Sequence, residues 1–289
     1  ELLNFSASKN QKLYVVGGTL RDFLSQKACT DFDLTGKNAA NLGSSFARSL
    51  DLTYVPLDNT PGRETVRVIL DQKQLDFTDL QGENIEEDLS QRDFTINAMG
   101  QLLSEFLSGR KNIIDPFNGQ EDLKNKTLRV LQGPIFQSDP IRILRAFRFA
   151  ATLGFEIEAE TLKKIVLHKN LLMEPAQERI WHELSTFFKT TGTMPLLETM
   201  HHCGVLECLI PISESIQVQT FSHYQKLENL LKEPEKTFPD YLEAFNSDDF
   251  VNNQYLFKLS LLLNRRHENQ PTDTPISQVS NLRASNAEV

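Results

Sequence analysis

The stretch KLYVVGGTLRD at residues 12–22 and the tripeptide DFD at residues 31–33 decide how this chain is read. Lys12–Val16 is a short apolar run that reads as a strand, and it ends in Gly17-Gly18, a tight turn. Thr19–Leu24 then looks like the first turns of a helix, and Phe32–Leu34 lies in a second extended stretch. In a strand, residues i and i+2 point to the same face, so Asp31 and Asp33 are side by side. Two adjacent carboxylates repel one another unless a cation neutralises them. Hard oxygen ligands of this kind suit Mg²⁺, which takes one or two carboxylates and completes its shell with substrate phosphates. Taken alone, the same tripeptide reads more readily as a solvated turn. Its context favours chemistry, because backbone N–H groups at the helix start after Gly17-Gly18 are able to face a phosphate. Arg21, one turn in, either faces that phosphate or pairs with a nearby acid.

Outward from this core, Thr65–Leu70 alternates β-branched residues with others. Gln74–Thr78 follows after the turn-like Asp71-Gln72-Lys73, and the pair reads as a hairpin. If its second strand neighbours the one bearing Asp33, Asp76 brings a third carboxylate, either to complete the metal site or to accept a proton from an attacking hydroxyl. Arg92, Asp93, Thr95 and Asn97 then crowd hydrogen-bonding groups around Phe94 and Ile96, a density that needs a network or a use to satisfy it. Asp115–Leu123 reads as a turn and helix start. The first 120 or so residues therefore mix strands and helices.

From Asp139 the period changes. Ile141, Leu144, Phe147 and Phe149 fall at helical spacing, and Ile180, Leu184, Phe187 and Phe188 repeat the theme. Arg142, Arg145 and Arg148 recur at every third position and are the first place to look for contacts to an RNA backbone. Asp139 and Arg142, three apart, share a face if one helix carries both. The plain reading is a salt bridge. The sharper one is base recognition, with an acceptor and a donor that suit the pairing edge of cytosine or adenine and mismatch guanine or uracil.

The 289 residues suffice for a sizeable core and one to three domains. A net charge of −9 does not by itself suggest a nucleic-acid binder, but local charge decides where a polyanion binds. Three cysteines, Cys29, Cys203 and Cys208, form no CxxC pair and fit a reducing, cytoplasmic setting better than a disulfide framework. No apolar run is long enough for a membrane span and no signal peptide is seen, so the expectation is a soluble protein. The chain begins at Glu1 without a methionine, which suggests a piece of a longer protein.

Five ordered motifs, GGTLRD (17–22), DFD (31–33), RDFTINAM (92–99), DPFNGQEDL (115–123) and DPIRILRAFRFA (139–150), resemble the class II tRNA nucleotidyltransferase family, which includes the bacterial poly(A) polymerases. The resemblance covers roughly residues 12–185 and ends with ERIWHEL at 178–184. It implies an α+β fold: a polymerase-β-like nucleotidyltransferase head (1–137), then an all-α neck (138–195) and body (196–270), with a polar tail at 271–289. It implies Asp31 and Asp33 as ligands of two Mg²⁺ ions, with Asp76 in the third carboxylate position. Gly17, Gly18 and Arg21 would line the nucleotide site, and Arg92, Asp93 and Asn97 would contact the sugar and triphosphate of the incoming nucleotide. Asp139 and Arg142 would select the base, with Arg145 and Arg148 beside them near triphosphate or RNA. The implied partners are ATP or CTP and the 3′ end of tRNA, with no membrane and no protein partner.

The chain departs from the family pattern at three places. Gln91 stands where the motif usually has a first arginine, and Ser138 stands where it often has a glutamate. Only residues 77–91 separate Asp76 from Arg92, which is shorter than in relatives that add all three nucleotides, so an enzyme adding only A or only CC, or a poly(A) polymerase, is expected. His267 is isolated, and His201-His202 read as surface or capping residues. Two rival readings are a small-molecule nucleotidyltransferase and a non-catalytic RNA-binding module.

Overall fold

The computed structural model describes residues 1–209, 214–232, 236 and 248–263. His267 and the polar tail expected at 271–289 lie outside the described residues, as do parts of the expected body. The chain divides into two compact units, Glu1–Ile135 and Phe136–Val289.

The first unit is built on a six-stranded mixed sheet. Its strands are β1 (Tyr14–Val16), β2 (Asp31–Gly36), β3 (Tyr54–Asp58), β4 (Thr65–Leu70), β5 (Lys73–Asp79) and β6 (Gly100–Leu102), in the spatial order β3-β4-β5-β2-β1-β6. β2 and β5 run parallel, and the other pairs are antiparallel. The expected hairpin is β4–β5, closed by Asp71 and Gln72, and its second strand does neighbour β2. Alternation does the sorting. Leu34, Val66, Val68, Leu75 and Phe77 are buried together with Ala39, Leu42, Phe46 and Ala47 of the helix α3 (Ala39–Ser49), after α1 (Leu2–Ser8) and α2 (Gly17–Leu24) in chain order. A Cβ on Gly43 would come 2.6 Å from the Phe77 ring, so only glycine lets α3 lie this close to β5. The residues between them in sequence, Asp31, Asp33, Arg67 and Asp76, are left on the opposite face. The unit is completed by α4 (Ile85–Ser90), α5 (Leu103–Leu107) and α6 (Gly119–Lys124).

In the second unit the described residues are mainly helical: α7 (Ile135–Ser138), α8 (Arg142–Leu153), α9 (Ala159–His168), α10 (Gln177–Lys189), α11 (Met194–His202), α12 (Val205–Leu209), α13 (Glu214–Lys232) and a further helix, Asp248–Leu263. α8 buries Ile143, Leu144, Ala146 and Phe147, the period read from the sequence, and ends at Gly154 in the left-handed conformation. No described helix is long and apolar enough to cross a membrane. Buried charge ties four elements together. Glu228 of α13 is 1% exposed, and its carboxylate accepts from the Thr193 and Met194 backbone N–H groups at the start of α11, at 3.0 and 3.1 Å. It also accepts from Lys258 at 2.8 Å, and Lys258 donates in turn to the Thr190 carbonyl after α10 at 2.7 Å. Every charge here is paired and hydrogen-bonded, the condition under which burial is tolerated.

Burial alone would raise the Glu228 pKa, but the Lys258 hydrogen bond, the Thr193 N–H and the Lys258 charge outweigh it and hold the carboxyl below its ordinary value. A depressed carboxyl pKa stabilises the fold above the unfolded-state value, and that stabilisation is lost as pH falls through the folded value. Glu228→Gln is therefore expected to cost about 3–5 kcal/mol near neutrality by leaving Lys258 without its counter-charge. Urea denaturation should show the gap from the unsubstituted protein narrowing as pH drops below the ordinary carboxyl range. A gap independent of pH would contradict the assignment.

Candidate active site

The open face of the sheet carries a row of side chains set by strand register. Asp33 of β2 is paired with Asp76 of β5, and Asp76 is paired with Arg67 of β4. Directly opposed residues project to the same face, so the three are neighbours, and Asp31 lies two residues along β2 on that face. At one end of the row the chain turns from β1 into α2. Gly17 begins this helix with φ +61°, and the Gly18 N–H donates to Asp33 Oδ2 at 3.0 Å. A Cβ on Gly17 would lie 2.9 Å from an Arg92 guanidinium nitrogen and 3.1 Å from Asp33 Oδ2. The first glycine therefore serves both the backbone conformation and the close approach of an acid and a base. Thr19 locks the turn onto β2: its hydroxyl donates to the Asp31 carbonyl at 3.1 Å and accepts from the Asp33 N–H at 2.6 Å.

Burial raises the Asp33 pKa and the Asp76 charge adds to the rise, while Arg92 and the N–H groups of α2 oppose it. A carboxylate that is costly to keep charged, beside a second acid two residues away, is one that a divalent cation relieves. The hard donor set of Asp31 and Asp33 thus fits Mg²⁺.

The register brings the third expected carboxylate, Asp76, directly opposite Asp33 on this face. Among the described residues no group of three acidic, histidine or cysteine side chains forms a cation site. Asp76 is instead engaged by Arg67, which the sequence reading overlooked. Its Nε donates to Asp76 Oδ1 and its Nη2 to Asp76 Oδ2, each at 2.7 Å, so both oxygens of the third carboxylate accept from one planar guanidinium. The hydrogen bond to Asp76 raises the Arg67 pKa, burial opposes it, and the charges of Asp76, Asp31 and Asp33 add to the rise.

Arg21, left open between phosphate and acid, pairs with an acid. It reaches both oxygens of Asp22 at 2.9 and 3.0 Å and donates to Asn97 Oδ1 at 2.7 Å. Asn97 Nδ2 donates to Asp93 Oδ1 at 3.0 Å, and the same oxygen accepts from the Phe94 N–H. Arg92 is held by Asp88 of α4 through Nε and Nη2, and the other Asp88 oxygen accepts from the Gln81 N–H. Thr95 is anchored to Asp122 of α6, which also takes Arg129. The dense polar segment is therefore a satisfied network that fixes Arg92 and Asn97 beside the start of α2.

In the second unit Asp139 does not share a helix with Arg142. α8 starts at Arg142, and Asp139 sits in the turn before it, where its carbonyl accepts the Arg142 N–H at 3.1 Å. Its carboxylate pairs with Arg179 of α10 at 2.8 Å. Pro140 explains the shift, since a residue before proline is steered out of the helical region. Arg148 is bound to Glu183 of α10 and stacked over Phe149, and Arg145 lies 3.9 Å from the same glutamate. Arg179 and Glu183 both belong to the ERIWHEL segment, whose spacing of four signalled a common helix face without naming its partners. His201 lies in the last turn of α11 and pairs with Glu207.

Residues 13–129 match the family described as the poly A polymerase head domain. Those residues belong to that family. Residues 154–216 match a second description, the probable RNA and SrmB-binding site of polymerase A. Over 193 residues the chain is 36% identical to a CC-adding tRNA nucleotidyltransferase of Geobacter sulfurreducens, covering 66% of this chain and 44% of that protein. An A-adding tRNA nucleotidyltransferase of Aquifex aeolicus is 33% identical over 69% of this chain and 26% of its own length. The chain thus spans half or less of these curated relatives. Among solved structures, a tRNA-processing enzyme with CTP superposes with a TM-score of 0.79 at 27% identity, over 99% of this chain and 75% of the other. The Thermotoga maritima CCA-adding enzyme complexed with tRNA gives 0.74 at 27% identity, over 98% and 63%. The poly(A) polymerase head of this chain has the polymerase-β-like fold, followed by helices, that the resemblance implied.

Gly17 is the point of the head where backbone lies against both Arg92 and Asp33. Gly17→Ala is expected to cost about 1 kcal/mol of stability for its left-handed φ. It should also lower kcat/KM for nucleotide incorporation, because the added methyl pushes on both Arg92 and Asp33. Melting and steady-state kinetics on the same preparation check this, and unchanged kinetics would remove Gly17 from the site.

Proposed function

We propose that this chain adds C or A, from CTP or ATP, to the 3′ end of tRNA without a nucleic-acid template and with release of pyrophosphate. The observation that carries the reading is the open row Asp31, Asp33 and Asp76 beside a helix start whose N–H groups face it. Asp31 and Asp33 would hold Mg²⁺, two ions by the family pattern. The metal supplies charge neutralisation at the oxygens of the reacting phosphate. Arg92, held by Asp88, presents its charge toward the triphosphate, and Asn97, held by Arg21 and Asp93, orients the sugar. Asp76 receives or relays the proton of the RNA 3′ hydroxyl as that oxygen attacks the α-phosphorus. Catalysis is then mostly positioning and fixed charge, with no covalent intermediate on the protein.

Asp139 and Arg142 read the base, and the Arg179 partner holds Asp139 in place for it. Arg145 and Arg148, steadied by Glu183, supply positive charge to triphosphate or RNA. The boundaries 1–137, 138–195, 196–270 and 271–289 remain our division into head, neck, body and tail, and a cytoplasmic location is part of the same reading.

A partial activity, adding only A or only CC, is favoured by the segment between Asp76 and Arg92. Leu80–Asn84 is pinned rather than free: Asn84 caps α4, the Glu83 N–H reaches back to Glu87 at 2.8 Å, and Asp88 holds the Gln81 N–H at 3.0 Å. A segment held this way has little length left to swing between two nucleotides. Polyadenylation of other RNA is the second reading, favoured by the poly A polymerase description of the head.

Transcripts of tRNA ending before CCA, after C and after CC, each given CTP or ATP alone, distinguish these readings by the length of extension. Asp31→Ala or Asp33→Ala is expected to abolish extension with the fold intact, and near-full turnover in either would refute the metal assignment. Asp139→Ala is expected to retain turnover but accept UTP or GTP. An unchanged nucleotide profile would take base reading away from that residue.

A further inference from the structure

Arg67 is a cation placed within a row of acids. It lies on β4, directly opposite Asp76, and its guanidinium closes on both oxygens of that carboxylate. It is also part of the open face, with its side chain 35% exposed while Asp76 is 19% exposed. By contrast, among the described residues no hydrogen bond or ion pair reaches the Asp31 carboxylate. Asp33 accepts from Gly18, with Arg92 nearby. Of three acids on one face, Asp31 is open, Asp33 takes one N–H with the Arg92 charge beside it, and Asp76 has both oxygens gripped by one guanidinium.

The distinction matters for a divalent ion. Affinity of a carboxylate site rises with the number of charged ligands, and Mg²⁺ sites that serve phosphate chemistry characteristically offer one or two carboxylates and leave the rest to substrate and water. Three free carboxylates would make a stronger cation trap before any nucleotide arrived. A bidentate guanidinium also fixes the carboxylate plane, which a lysine ammonium cannot do.

We propose that Arg67 is a positioning residue that withholds Asp76 from the cation, so that Asp31 and Asp33 hold it alone until the triphosphate of the incoming nucleotide completes its shell. The proposal rests on the metal assignment made above. Asp76 then keeps its role toward the RNA hydroxyl, because its oxygens are oriented by Arg67 rather than spent on the ion.

The test is Mn²⁺ binding to the whole chain without nucleotide, followed by the electron paramagnetic resonance signal of the free ion. Arg67→Met, which removes the charge and keeps much of the bulk, is expected to bind Mn²⁺ about ten-fold more tightly, since affinity rises with the count of charged ligands. Arg67→Lys keeps the charge without the planar clamp and should move the same way by a smaller factor. If the methionine variant does not fold by circular dichroism, the lysine variant carries the test. The double variant Arg67→Met/Asp76→Asn should bind no more tightly than the unsubstituted protein. Equal affinity in Arg67→Met and the unsubstituted chain, or a double variant as tight as Arg67→Met, overturns the proposal. Failure of the metal reading looks different: Asp31→Ala and Asp33→Ala would then retain the unsubstituted protein's Mn²⁺ affinity. A merely structural role for Arg67 would weaken binding or leave it alone, and would not tighten it.

Discussion

The parallel pairing of β2 with β5 is the constraint on which the rest depends. One register, Asp33 against Asp76, places two acids side by side on a face that α3 does not cover. Because side chains alternate, a slip of one residue would bury the acids against Phe46 and expose Phe77 and Leu34. The apolar face that holds the sheet to α3 is therefore also what aims the carboxylates outward. Helix α2 adds the complementary charge, with its first N–H groups at Asp33 and Arg92 filling the space that a side chain at Gly17 would occupy.

Within each unit, the residues proposed for the site are held by neighbours to which no chemical step is assigned. Asp88 holds Arg92, Asp93 holds Asn97, Arg179 holds Asp139, Glu183 holds Arg148, and Arg67 holds Asp76. Such pairs contribute little to stability when exposed. Their value is in orientation: a guanidinium gripped through two nitrogens loses the freedom that would otherwise be lost on binding a phosphate.

Much of the head was legible because its signals are local. The run at Lys12–Val16 before two glycines, the alternation at Thr65–Leu70 and the turn at Asp71–Lys73 each fix an element within a few residues; β4 formed as read, β1 is shorter at Tyr14–Val16, and Lys73 already belongs to β5. Asp31 and Asp33 were legible by the period of a strand. What stayed hidden was the partner across the sheet. Arg67 looks like any arginine in a strand until the register of β4 against β5 is known, and that register depends on packing, not on local sequence. The helix break at Pro140 is the opposite case: the signal was present, but helical spacing across Asp139 and Arg142 was weighted above it. Glu228 and Lys258 lie thirty residues apart on separate helices, and no local pattern couples them.

The strand order has a consequence for synthesis. β2 lies in the middle of the sheet, yet its neighbour β5 is made some forty residues later, and β1 waits for β6 at Gly100–Leu102 to cover its far side. As the chain leaves the ribosome, the N-terminal strands therefore emerge with open edges and with no native partner on those sides. Loop closure must precede the contacts that repay it, so the β2–β5 pairing waits for residue 79 and the β1–β6 pairing for residue 102. Until then Asp31 and Asp33 put charge on the open strand β2, which disfavours its pairing with a wrong chain.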